Sequence, residues 1–174
     1  MPKTNYLYSM KKKILYTVII AFLCIQFYRP AKNINTQAQP NHIANEYPTS
    51  TEVNRILKKA CNDCHSNNTV YPWYANIQPV SMWLTNHVNE GKEEINFDEF
   101  GTYTVRRQYK KMKEIIKQVK EEKEMPLASY TWIHKDAILT DAEINTLASW
   151  AKGMQDSMKS IYPIDSLERK KKLD

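Results

Sequence analysis

Glycine is nearly missing from this chain, with three residues in 174. Together with many Lys, Glu, Met and Leu and 42% hydrophobic residues, that scarcity favours helices and argues against a turn-rich β fold. Cysteine is equally scarce. Three residues cannot all pair, and two of them, Cys61 and Cys64, sit almost side by side, so a disulfide framework is excluded. Acidic residues are missing from positions 1–29, which carry Lys3, Lys11, Lys12, Lys13 and Arg29. The remainder has 20 basic against 19 acidic side chains, so the net charge of +6 belongs to the ends of the chain. A basic groove for phosphates is therefore absent, and nucleic acid is excluded as a partner. No repeat is visible, and the length suits one domain with a leader or tail.

The longest uncharged apolar run is Ile14–Tyr28, preceded by lysines and followed by Arg29 and Pro30. This is the pattern of an export signal or signal anchor. Fifteen helical residues reach about 22 Å against a hydrocarbon core of about 30 Å, a gap that snorkelling or local thinning can close. No small residues follow the run at signal-cleavage spacing, and Leu23 is large for lipoprotein processing at Cys24. The expectation is an uncleaved transmembrane helix over residues 1–29, with cleavage or lipidation at Cys24 as alternatives. The lysines place the N-terminus in the cytoplasm. The domain would then face the periplasm from a single-pass anchor in the inner membrane.

Residues 30–48 are polar, rich in Asn, Gln and Pro, and without an apolar period. They read as a flexible linker, with His42 exposed and without a role. A domain is expected over 49–160, followed by a basic tail over 161–174. Its first helix starts near Thr49 or Ser50, where Thr49 and Glu52 form a capping pattern ahead of Val53, Ile56, Leu57 and Ala60. A short helix covers Val80–Glu90. The strongest amphipathic pattern covers Thr104–Lys123, with Val105, Tyr109, Met112, Ile116 and Val119 on one face. A last helix starts at Thr140, with Glu143 completing a second capping pattern. Pro126 breaks the pattern between Met125 and Ile138. The fold class is all-α.

Cys61-Asn62-Asp63-Cys64-His65 is a C-x-x-C-H sequence, the attachment signature of c-type haem. Two thiols at this spacing can each form a thioether with one porphyrin vinyl group, and the adjacent His65 supplies an imidazole to the iron. Zinc would need two more ligands, and no second cysteine pair exists. A thioredoxin-like motif would sit beside a βαβ pattern, which is absent. A simple disulfide is the remaining rival. For the sixth ligand, Met125 stands before Pro126 in the loop between the two best helices, and its thioether favours ferrous iron. His134 and His87 are the chemical rivals, and core packing is the commoner task of a methionine. Tyr71, Trp73, Tyr74 and Trp83 are candidates to wall a porphyrin, and the Pro79 carbonyl is a candidate to orient His65.

The stretch from Ser50 to Gly153 resembles the small haem-binding domain family of bacterial c-type cytochromes. The blocks CNDCHSNNTVYPWYANIQPVSMWLTNHVNEGKEEINF and MPLASYTWIHKDAILTDAEINTLASW carry the resemblance. It implies a cytochrome c-like fold around one covalent haem c per chain, attached at Cys61 and Cys64 with His65 axial. It also implies a methionine-proline at Met125-Pro126, and family segments matching Tyr71–Tyr74 and His87–Lys92. The expected function is one-electron transfer outside the cytoplasm, with redox proteins or a membrane redox complex as partners. The alternative is a ligand-binding or sensing domain with a displaceable sixth ligand. No enzymatic activity is expected, since one C-x-x-C-H excludes a self-contained dihaem peroxidase.

Overall fold

The computed structural model describes residues 3–169, and among them every regular element is helical. In chain order these are α1 (Lys3–Ile25), α2 (Ile43–Glu46), α3 (Thr51–Ala60), α4 (Asn62–His65) and α5 (Val80–Glu94). Then follow α6 (Val105–Ile116), α7 (Ala128–Ile133), α8 (Asp141–Ile161) and α9 (Ile164–Leu167). Cap chemistry fixes the starts. Ser50 Oγ accepts from the Val53 amide, so the cap of α3 is Ser50, one residue beyond the expected Thr49. Thr140 and Glu143 form the reciprocal capping box expected for α8. Thr104 caps α6, which ends in a π-helical turn, Lys117–Glu121.

The apolar stripes of α3, α6 and α8 meet in one core that also takes Ile95, Phe97 and Phe100. Phe100, Ile56 and Met112 are fully buried, each adding about 1.5–3 kcal/mol of hydrophobic stabilisation. A smaller cluster joins Tyr109, Met158 and Leu167.

Three expectations about the chain ends are corrected. No described helix is long and apolar enough to cross a membrane. The helix α1 has 23 residues, but Lys11–Lys13 lie inside it and leave an uncharged helical run of twelve, Ile14–Ile25. Every residue of α1 from Tyr8 to Cys24 is exposed.

Residues 30–48 are no free linker. Ile43 is completely buried in the main core, because α2 turns it inward, and Tyr47 packs beside it. His42 is half-buried: its Nδ1 caps α2 by accepting from the Ala44 amide, and its Nε2 lies 3.8 Å from Asp98 Oδ1. The expected tail folds back as α9, with Leu167 buried and Arg106 donating to the Asp165 and Ser166 carbonyls at 2.7 and 3.2 Å. Residues 170–174 of that tail lie outside the described residues.

Candidate functional site

The C-x-x-C-H sequence occupies the end of α3 and the single turn of α4. The Cys61 amide closes α3 by donating to Leu57 O, and the amides of Cys64 and His65 both donate to Cys61 O at 3.1 and 2.9 Å. That turn brings Cys61, Cys64 and His65 onto one short structural unit. Both cysteines are free and half-buried. Burial pushes the Cys61 thiol up to about 12 and the Cys64 thiol up to about 11, with Cys64 and Asp63 adding to the respective shifts. Both are therefore thiols rather than thiolates near neutral pH. Among the described residues, no group of three or more His, Cys, Asp or Glu is placed to hold a bare metal ion.

His65 is oriented by the C-terminal end of α5. Its Nδ1 lies 2.8 Å from Gly91 O and 3.0 Å from Ile95 O. Carbonyl oxygens only accept, so Nδ1 must carry the proton and Nε2 must hold the lone pair. Burial lowers the His65 pKa, while the two carbonyls oppose that shift, and the ring is neutral near neutral pH. Phe97 flanks it with ring centroids 6.0 Å apart. The close approach of α5 depends on Gly91, where an added Cβ would fall 2.8 Å from Cys64 O and 3.0 Å from Cys64 Cβ. The expected partner, Pro79, is corrected. Its carbonyl accepts from the Trp83 amide inside α5.

A narrow cleft opens beside Cys64, walled mostly by apolar side chains that include Val80, Trp83, Leu84, Leu127 and Ile133. Tyr74, His87, Tyr130 and His134 supply its polar edge. The Tyr130 hydroxyl donates to Asp63 Oδ2 at 2.8 Å, which with burial raises its pKa strongly. Tyr130 stacks on His134 at 4.3 Å, and His134 Nε2 lies 3.0 Å from the Tyr74 hydroxyl. His87 sits edge-on to Trp83 and 3.2 Å from Glu90.

Met125 is half-buried and packs against the main core, as Cys61 does, with its amide donating to Gln118 O. Leu127, two residues on, reaches the cleft beside Cys64. Of the expected aromatics, Tyr74 and Trp83 line the cleft, Tyr71 accepts from the Asn33 amide at 2.8 Å, and Trp73 is exposed.

Several residues that serve this site gave little sequence signal. Asn33 clasps the loop after His65, donating through its side chain to Ser66 O and Thr69 Oγ1 and accepting from Lys92 Nζ at 2.6 Å. Asp98 accepts from the Asn67 amide at 2.7 Å inside a buried knot completed by Asn96. Only Gly91 was legible in principle, as an isolated glycine within a helical stretch, which usually marks close packing.

The donor set fits a covalent haem: two free thiols three positions apart, a neutral imidazole with one nitrogen committed to carbonyls, and an apolar cleft beside Cys64. The family model described as a haem-binding domain matches residues 20–153, well over half the chain. No curated protein matches, and no solved structure matches.

Proposed function

The chain belongs to the haem-binding domain family, and from that premise we propose that it is a mono-haem c-type electron carrier. Cys61 and Cys64 would hold the haem by thioethers, and His65 Nε2 and Met125 would supply the ligands to its iron. Bound there, the haem supplies a single electron that can be taken up or released. The observation that carries the reading is the fixing of His65 Nδ1 by the carbonyls of Gly91 and Ile95, which aims one defined nitrogen at a ligand.

The protein's own residues explain why a carrier fits better than an enzyme. With His65 and Met125 both holding the iron, no position would be left for a substrate, and the chain would supply electron exchange alone. The His65 ring is locked by two hydrogen bonds and the Cys64 backbone lies against Gly91, so the ligand has little room to move between oxidation states. The lysines ahead of Ile14 and the apolar run after them support export of everything beyond Arg29, where redox proteins or a membrane redox complex would be the partners.

The test is acidified organic extraction of denatured protein, followed by optical spectra in both oxidation states. Retained haem with low-spin ferric and ferrous spectra supports the carrier. Haem that extracts freely would refute covalent attachment. Ferrous protein that is high-spin and takes up carbon monoxide at once would replace the carrier by a sensing domain.

A further inference from the structure

We infer that the face formed by residues 73–82, at the root of α1, rests on a lipid bilayer and fixes the orientation of the domain above it. Tyr74 and Val80 of this stretch line the cleft beside Cys64, so the inference rests on its exposed side chains Trp73, Ile77 and Met82.

Two observations carry it. The first is how α1 joins the domain. Gln26 Nε2 donates to Gln78 O at 3.1 Å, the Gln78 amide donates to Gln26 Oε1 at 3.0 Å, and Gln78 Nε2 donates to Tyr28 O at 2.8 Å. Gln78 is completely buried, so this three-bond clasp is an internal joint and not a loose tether. The helix it holds exposes apolar side chains all round from Ile14 to Leu23.

The second observation is the chemistry of the surface beside the joint. Residues 64–89 contain no Lys, Arg, Asp or Glu, in a chain that is 25% charged. Around the clasp this uncharged stretch presents Trp73, Ile77 and Met82, the joint itself presents Phe27 and Tyr28, and all five are exposed. The nearest cations are Arg29 and Lys32, and Lys32 is held by Asn76 Oδ1 at 3.0 Å. Aromatic side chains with basic residues at the end of an apolar helix are the composition that settles at the headgroup boundary. Bilayer is therefore the occupant, with anionic headgroups matched to Arg29 and Lys32.

Hydroxyl-radical footprinting of the full chain in phosphatidylcholine–phosphatidylglycerol vesicles, read by mass spectrometry, tests this directly. Trp73 and Trp132 are each 76% exposed, so they form an internal pair. Docking should slow oxidation of Trp73 relative to Trp132 by at least about fivefold. Ile77→Asp with Met82→Asp, both at exposed positions, should return the ratio to near one while the protein still floats with the vesicles. Equal oxidation of Trp73 and Trp132 in wild-type protein overturns the inference, as does protein that leaves the vesicles on flotation. Protection of Trp73 that appears only after membrane proteins are added would assign the face to a protein partner and also overturn it.

Discussion

Gly91 touches the haem-binding sequence twice: its missing Cβ leaves room for the Cys64 carbonyl, and its own carbonyl accepts from His65 Nδ1 at 2.8 Å. Gly91 thus sets the distance of α5 from the C-x-x-C-H turn and, with the Ile95 carbonyl, the tautomer of the His65 imidazole. Gly91→Ala should force α5 away from Cys64 and lengthen the His65 bond, destabilising the protein by about 1–3 kcal/mol. Denaturant unfolding measures it. Gly153 is the matched control, since a Cβ there meets nothing within 4 Å. On the exposed side of α8, Gly153→Ala should stabilise by about 0.5–1 kcal/mol.

Met125→Ala should abolish the weak red-edge absorption of ferric protein, turn the ferrous form high-spin and lower the reduction potential. His87→Ala and His134→Ala should leave that band unchanged. Loss of the band in a histidine variant, with Met125→Ala unaffected, would assign the sixth position to that histidine.

Tyr130 ties the segment after Met125 to the C-x-x-C-H turn through Asp63, at 2.8 Å. A hydrogen bond to a charged acceptor contributes about 1.5–3 kcal/mol, so Tyr130→Phe should loosen the Met125 loop. Expected results are disappearance of the red-edge band at lower temperature and carbon monoxide binding faster by about tenfold. Unchanged carbon monoxide kinetics would show that Tyr130 packs without positioning Met125.

Glu143 receives Lys59, the Thr140 amide and Arg55, and Lys59 above all holds its carboxyl down to about 2. A carboxyl whose folded pKa lies below its unfolded value of about 4.3 contributes stability above that value. The contribution fades as the pH falls from about 4.3 through about 2. Arg55 is half exposed, so screening limits the effect to about 1–2 kcal/mol. Glu143→Gln should lower stability by that amount at pH 7 and flatten its pH dependence between about 5 and 2. Chemical denaturation at a series of pH values checks both.

The parts of this protein that could be read along the chain are those whose causes are local. One helical turn places Cys61, Cys64 and His65 together, and Thr140 meets Glu143 because a helix start brings them within reach. The stripe from Tyr109 to Val119 reports burial because helical periodicity is itself a short-range property. The partners that make the site specific are remote. His65 finds Gly91 across 26 residues, Asn33 finds Ser66 across 33, and Tyr130 finds Asp63 across 67.

Periodicity shows that a side chain is buried but not what it faces, so the carbonyl that orients His65 became known only once α5 was packed. The same reason explains residues 30–48. Their one fully buried residue, Ile43, makes no period, and the amides of Asn33 and Asn45 look alike in sequence whether they face water or tie down a loop. Composition fixed the chemistry available to this chain, and packing chose which groups would meet.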